Sequence, residues 1–117
     1  MASTPQTKFV VVLPTHDQAN PPNPLVDGEL TQVDFEVTVD GAKTVYSAPL
    51  PAGLAVGVTI DLPFANVTPV FEPVPGKAYT ADAFVVDANG AGAASTSQSW
   101  TQIAAAAPPA APTFSIA

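Results

Sequence analysis

Proline is the feature that most limits the folds open to this chain. Fourteen of its 117 residues are proline, and they are spread from the N-terminal region to the C-terminal segment. Proline lacks a backbone N–H and breaks the interior of an α-helix. No window of the sequence shows apolar residues recurring at the three- and four-residue spacing of an amphipathic helix. We therefore predict an all-β protein.

Short segments in which apolar and polar residues alternate support this prediction. The clearest is residues 32–40, where four apolar side chains are each followed by a polar one. Alternate residues of a strand point to opposite faces, so the pattern predicts a strand with one buried face. Asp40 and Gly41 then predict a tight turn. Further strands are predicted at residues 9–13, 43–47, 56–62 and 93–102. About six short strands separated by turns predict an antiparallel β-sandwich.

A tyrosine, an aspartate and a glycine-rich turn follow one another in the second half of the chain. They are Gly76, Tyr79, Asp87, Gly90 and Gly92, and the run Ala-Ser-Thr-Ser at 94–97 comes after them. This order resembles the closing hairpin of fibronectin type III modules, and residues 30–41 resemble the third strand of that family and its turn. The resemblance covers residues 9–102. It implies an immunoglobulin-like sandwich and says little about activity, because one fold serves many functions.

The resemblance implies structural roles within this hairpin. Tyr79 would be the corner tyrosine, whose hydroxyl bonds a nearby backbone group while its ring packs inside. Asp87 and Asn89 are expected to hydrogen-bond their own backbone in the turn that Gly90 closes. We therefore expect Tyr79, Asp87 and Gly90 to build the fold and not to perform chemistry.

The chain also departs from the family's pattern. The inward face of the Tyr79 strand is unusually small, since it consists of Ala81, Ala83 and Val85. Its other face carries Phe84 and Val86, which are large side chains for a solvent-exposed surface. We therefore count Phe84 and Val86 among the candidate interaction residues.

We divide the chain into an N-terminal arm (1–7), a fibronectin type III-like β-sandwich (8–103) and an Ala/Pro-rich linker with an apolar tail (104–117). The arm is too short to supply the family's first strand easily. A Pro/Ala linker followed by a short apolar segment is how such a module usually begins. We hypothesise that the segment holding Phe114 and Ile116 supplies the missing edge strand to its own domain or to a neighbouring subunit. The alternative is a disordered tail.

Charge and residue content exclude several classes of function. Ten carboxylate side chains stand against three lysines and no arginine, which gives a net charge of −7. Because Lys and Arg supply the contacts to phosphates, we predict no nucleic-acid partner and no binding to an anionic membrane. Without cysteine, disulfide bonds and thiolate metal sites are excluded. No basic segment precedes the first apolar run, so we predict no secretory signal.

No pattern predicts a catalytic, cofactor or metal site. The single histidine, His16, is expected to be an exposed loop residue, since a catalytic base or a metal ligand needs convergent partners. The oxygen ligands that a calcium ion would need could come from Asp17, Asp27, Glu29, Asp87 and Asn89. They do not form a D-x-D-x-D-G loop, so we expect solvated turn residues. No serine lies in a G-x-S-x-G elbow.

These observations favour a non-enzymatic structural accessory protein of a virion, such as a capsid-decorating or tail-associated protein of a bacteriophage. The expectation comes from the class of small, acidic, free-standing immunoglobulin-like modules that lack an export signal. Capsid or tail proteins would be the partners, a homo-oligomer is left open, and the chain would be located in the virion. The residues expected at interaction surfaces are Phe84, Val86, Trp100, Phe114 and Ile116.

A carbohydrate-binding or adhesion module from a secreted or surface protein is the alternative. It would place the chain outside the cell and would require exposed aromatic rings. Trp100 and Phe71 are the candidates for a sugar-stacking surface, although a tryptophan late in the last strand is more often part of a core or an interface.

Overall fold

The computed structural model describes residues 4–105 and 110–116, and within these ranges the protein is all-β. The predicted N-terminal arm and linker lie partly outside them. The strands are β1 (Lys8–Val12), β2 (Gln32–Val39), β3 (Ala42–Pro49), β4 (Thr59–Pro63), β5 (Ala78–Asp87), β6 (Gly90–Ala91) and β7 (Gln98–Thr101). A single 3-10 turn, Phe64–Asn66, follows β4. Within the described ranges, no helix has the length and apolar character needed to cross a membrane.

The strands form two antiparallel sheets. In the smaller sheet β1 pairs with β4, and in the larger sheet the order is β3–β2–β5, with β6 and β7 both paired to the far side of β5. The inner faces share one core, whose buried side chains include Leu13, Leu30, Val33, Phe35, Val37, Phe64, Val67, Phe71 and Tyr79. This arrangement is consistent with a β-sandwich, and residues 6–103 are called the β-domain below.

The strand predicted from the alternating pattern and its turn are confirmed. Val33, Phe35 and Val37 are buried, whereas the polar residues between them are half-buried. Asp40 and Gly41 both have positive φ, 51° and 77°, and connect two strands paired without a gap. Two positive φ values give the turn a twist that matches the twist of the flanking strands.

The predicted strand at residues 56–62 begins later than expected. β4 starts at Thr59, because Gly57 has a φ of 75°, and a side chain at this position would also collide with that of Thr15. A positive φ at this position is incompatible with an extended strand, so the alternating pattern of the sequence runs past the true start of β4.

Of the strand predicted at residues 93–102, only the part that forms β7, Gln98–Thr101, is present. The stretch from Ala91 to Gln98 is two residues longer than the stretch from Ala81 to Val86 that it faces. The extra residues break the ladder, as in a β-bulge. Only the short β6 and β7 therefore remain as strands, and residues 92–97 form an irregular connection between them.

Aromatic rings fill the space between the sheets. The ring of Phe9 lies 4.0 Å from that of Phe35 and 4.7 Å from that of Phe64, measured between centroids. Phe71 lies 4.8 Å from Phe64 and 6.2 Å from Trp100. This cluster joins β1 to the larger sheet and holds β1 in position.

Candidate functional site

Within the part of the chain that the structure describes, strand β1 forms ladder hydrogen bonds on only one of its two sides. Two hydrogen bonds at the ends of the β1–β4 ladder show which residues of β1 bond to β4. The N–H of Leu13 donates to the carbonyl of Val58, and the N–H of Phe64 donates to the carbonyl of Thr7, both at 2.9 Å. Hydrogen-bonded pairs alternate with non-hydrogen-bonded pairs along an antiparallel ladder. The odd-numbered residues of β1 therefore bond to β4.

The even-numbered residues Lys8, Val10 and Val12 direct their backbone N–H and C=O groups away from β4. Among residues 4–105 and 110–116, no strand pairs with this side of β1. The side chains of Val10 and Val12 are 59% and 68% exposed. An unpaired strand side with β-branched residues and no proline is a template for the addition of another strand. We call it the free edge.

An open groove of about 420 Å³ runs beside the free edge. One wall is β1, and the other is formed by residues 95–98 at the interrupted side of β5. The aromatic and apolar residues that line it include Phe9, Val11, Phe35, Ala81, Ala83 and Trp100. The groove therefore gives access to the core between the two sheets.

The small inward face of β5 accounts for the depth of this groove. Ala81 lies opposite Val37, and Ala83 lies opposite Phe35, in the register of β5 with β2. Both alanines point inward, and the side chain of each consists of a single carbon atom. Larger residues at these positions would fill the space between the free edge and the core, as side chains do in closely packed interiors.

The second wall of the groove is held by hydrogen bonds to β5. The N–H of Ser95 donates to the carbonyl of Ala83 at 2.8 Å, and the N–H of Ala83 donates to the Oγ of Ser95 at 2.9 Å. Gly92 donates its N–H to the carbonyl of Val85 at 2.9 Å. The irregular segment thus stays on β5 although it no longer forms a regular strand.

Trp100 lines the groove and also belongs to the core. Its ring is half-buried and stacks on Tyr79, with centroids 5.4 Å apart and planes 22° apart. Its Nε1–H donates to Oε1 of Gln102 at 3.1 Å. Phe71, the other candidate for sugar stacking, is only 5% exposed. The buried ring of Phe71 cannot serve as a sugar-stacking surface, and one face of the Trp100 ring is covered by Tyr79.

Tyr79, Asp87 and Gly90 occupy structural positions. The ring of Tyr79 is buried, and its hydroxyl accepts a hydrogen bond from the N–H of Val74 at 2.7 Å. Asp87 Oδ1 accepts the N–H of Asn89 at 2.8 Å, and Asp87 pairs with Gly90, whose φ is 115°. These contacts close the β5–β6 hairpin and attach the loop before β5 to the core.

Phe84 and Val86 lie on the other face of the larger sheet. They are half-buried, and in the register with β2 they lie opposite Asp34 and Gln32. The structure therefore does not bring them together with Trp100, which faces the groove. The interaction residues predicted from sequence fall on separate surfaces.

The tail residues are exposed. Phe114 is 84% and Ile116 is 93% exposed, the largest values among the big apolar residues of the described ranges. Within residues 110–116, no backbone hydrogen bond to the β-domain is formed. The free edge and two unburied apolar side chains thus occur in the same chain.

Most of the acidic loop residues lie at one end of the β-domain, and their carboxylates accept hydrogen bonds from backbone N–H groups. Asp17, Glu29, Asp87 and Asn89 line a depression of about 550 Å³, and Asp27 does not. Glu29 accepts the N–H of Val26, and Asp27 accepts the N–H of Val56. Across residues 4–105 and 110–116, no three His, Cys, Asp or Glu side chains form a group that could hold a metal ion.

The pKa of Asp17 is lowered by hydrogen bonds to its carboxylate. The N–H of Asn23 has the largest effect, followed by the N–H of Ala19 and the side-chain amide of Asn23. Its neighbour His16 is exposed and contacts Thr15 through Nδ1 at 2.9 Å. The carboxylate therefore orders the proline-rich loop, which is a structural role.

The resemblance predicted a missing edge strand, but no pattern in the sequence indicated which strand has the free side or that a groove lies beside it. The run at 9–13 predicts a strand, but the pattern of one strand does not tell which of its sides is paired. The small inward face of Ala81 and Ala83 was the one signal that pointed to unfilled space. Comparison of the chain with protein-family models, with curated proteins and with solved structures found no match.

Proposed function

We propose that this chain is a non-enzymatic structural module that attaches to other protein chains, and that it works as an accessory protein of a virion, such as a capsid-decorating or tail-associated protein of a bacteriophage. One observation carries the attachment role: β1 has a free edge beside an apolar groove of about 420 Å³. Extended segments bind such edges by adding a strand, with backbone hydrogen bonds for affinity and side-chain pockets for specificity.

We propose in addition that the β-domain is a fibronectin type III-like module without its first strand. The order β3–β2–β5–β7, facing the pair β1–β4, supports this proposal. The bond from the hydroxyl of Tyr79 to the backbone supports it as well. In such a module, the first strand would lie along the side of β1 that is free here.

The outer face of the larger sheet supports a location on the surface of a particle. Asp34, Glu36 and Asp82 lie on this face, opposite the side that packs into the core. Lys43 pairs with Glu36 on the same face, and the remaining negative charge discourages unspecific pairing between sheets and keeps the face hydrated. The assignment to a virion rests on the class of protein, since small acidic immunoglobulin-like modules are used on phage particles.

The proposal is tested on particles from the host that carries this gene. We expect the chain to sediment with particles purified on a density gradient, and antibody-gold to label their surface in electron micrographs. A chain found only in the soluble fraction would contradict the virion role.

Re-addition of purified protein to particles lacking it tests the attachment surface. Val10→Pro changes the free edge without removing a bond of the β1–β4 ladder, because proline is tolerated where the N–H points away from the sheet. Val70→Asn, which changes an exposed loop residue, is the matched control. We expect the control to bind as the natural chain does and Val10→Pro to lose binding; equal binding by both would contradict attachment through the edge.

A further inference from the structure

We infer that the C-terminal segment of one copy of this chain adds as a strand to the free edge of a second copy, with Phe114 and Ile116 entering the groove. This rests on the attachment role proposed above for the edge. Its tests use the purified chain alone, so their failure and a failure to find the chain on virions are separate results.

The side-chain pattern of the segment fits an added strand. In Thr113-Phe114-Ser115-Ile116, the two apolar residues are two positions apart, so an extended backbone places both on one face. Thr113 and Ser115 then point to solvent. This is the alternation required of a strand that covers one side of a core.

The groove offers apolar surroundings in which the two exposed side chains of the tail can be buried. Phe114 and Ile116 are almost fully exposed, although burial of apolar side chains of this size stabilises a protein. Below the free edge lie the small side chains of Ala81 and Ala83, with the rings of Phe9 and Trp100 also lining the groove. An inserted phenylalanine would gain aromatic neighbours there.

The backbone of the segment would also satisfy the free edge. Lys8, Val10 and Val12 offer alternating N–H and C=O groups over a strand of five residues. With Phe114 and Ile116 facing inward, Thr113 and Ser115 lie opposite Val12 and Val10, so the segment pairs with two of the three. Pro112, which has no N–H to donate, stands just before it, at the start of a strand, where proline is tolerated.

The point where the tail leaves the β-domain favours a second copy over the same copy. The side-chain amide of Gln102 donates to the carbonyl of Gln6 at 2.9 Å, and the N–H of Ile103 donates to Oε1 of Gln6 at 3.0 Å. The chain therefore leaves at the end where β1 begins. Antiparallel pairing is the more stable arrangement per residue, and a strand added antiparallel to β1 starts at the opposite end, beside Val12.

A tail that bound its own domain would have to pass along all of β1, roughly 17 Å at ~3.4 Å per residue, and then reverse. A second copy placed end to end needs no reversal. The tail is also free of charged side chains, whereas the whole chain carries −7. An uncharged segment can therefore bridge two copies that repel each other. Each copy then donates one strand and accepts one.

The first test is the mass of the purified full chain by light scattering at several concentrations. We expect species that are multiples of the 11.8 kDa chain and that grow with concentration. The double variant Phe114→Asn/Ile116→Asn, which cannot donate its C-terminal strand, should have the mass of the monomer. Val26→Asn/Val70→Asn, a matched change of two exposed apolar loop residues, should keep the mass of the natural chain. A natural chain that is monomeric at all concentrations would overturn the inference.

The second test is complementation between two defective variants. Phe114→Asn/Ile116→Asn retains the free edge and lacks the donor side chains, whereas Val10→Pro retains the tail and lacks the edge. Each should be monomeric alone, and their mixture should form a heterodimer that grows no further. If Val10→Pro does not fold, as judged by circular dichroism, Val12→Pro replaces it. Oligomers that persist in either folded variant would place the contact elsewhere and overturn the inference.

The third test detects the segment in the groove directly. A synthetic peptide of residues 110–117 is added to full-length Phe114→Asn/Ile116→Asn, and the emission of Trp100, the only tryptophan, is followed. We expect a saturable shift, because Trp100 lines the groove. The same peptide with asparagine at both apolar positions should give none. Equal responses to both peptides, or to neither, would overturn the inference.

Discussion

The ring of Phe9 on β1 lies against the ring of Phe35 on β2, with centroids 4.0 Å apart and planes only 13° apart. This stack joins the two sheets directly. It explains how β1 keeps its place although only one of its sides is hydrogen-bonded. The free edge is therefore part of a packed structure and does not depend on a partner to be formed.

The stack predicts that Phe35 is a major source of stability. Phe35 is buried, and its replacement by alanine leaves a cavity between the sheets, so we expect Phe35→Ala to lower the free energy of unfolding by about 3–5 kcal/mol. Urea denaturation followed by circular dichroism measures the change. Val45→Ala, at a largely exposed position of β3, is the control and should shift the midpoint little. Equal effects of the two substitutions would contradict this account of the core.

The hydroxyl of Tyr79 is predicted to stabilise the loop before β5. Tyr79→Phe keeps the ring and leaves the N–H of Val74 without its acceptor, so we expect a loss of about 1–3 kcal/mol. Tyr46→Phe is the matched control, because no hydrogen bond of the Tyr46 hydroxyl is formed within the described ranges, and the ring is half-buried. A loss in the control as large as that in Tyr79→Phe would show that the hydroxyl bond is not the cause.

The turn at Asp40 and Gly41 gives a test of backbone conformation alone. Gly41 has a φ of 77°, and a Cβ built there meets no atom within 4 Å. Any cost of a side chain is therefore conformational. We expect Gly41→Val to destabilise the protein by about 1–2 kcal/mol, and Gly41→Asn to cost clearly less, since asparagine tolerates positive φ. Thermal melts compare the two variants, and equal losses would exclude the conformational explanation.

The carboxylate of Asp17 is expected to make the stability of the folded protein depend on pH under acidic conditions. Its folded-state pKa is lowered from the ordinary value of 3.8, chiefly by the N–H of Asn23. A lowered folded-state pKa means that the stabilising contribution is complete above the unfolded-state pKa and is lost as the pH falls from 3.8 through the folded-state pKa.

An NMR titration of the Asp17 carboxyl group checks this prediction. We expect a midpoint below 3.8 in the folded chain and a return to the ordinary value in urea. Asp17→Asn should remove the pH-dependent part of the stability of this loop. A folded-state midpoint at or above 3.8 would show that the bonds from Asn23 and Ala19 do not form in solution.

Much of the fold class could be predicted from the sequence. The alternation along residues 32–40 fixes which face of β2 is buried, because side chains on a strand alternate strictly. The Asp40–Gly41 turn could be predicted because few residues tolerate positive φ. The shortening of the strand predicted at 93–102 to β7 could not, since it depends on how many residues face β5 on the opposite side. The fibronectin type III-like topology stays a prediction.

The candidate site shows the same division. The apolar tail residues Phe114 and Ile116 and the small inward face of Ala81 and Ala83 are properties of the sequence, visible as local composition. The free edge of β1 and the groove beside it were decided only by the tertiary structure. A strand carries the same residues whether one or both of its sides are paired. Whether a side is free depends on the presence of a neighbouring strand in space, which no local pattern of apolar and polar residues encodes.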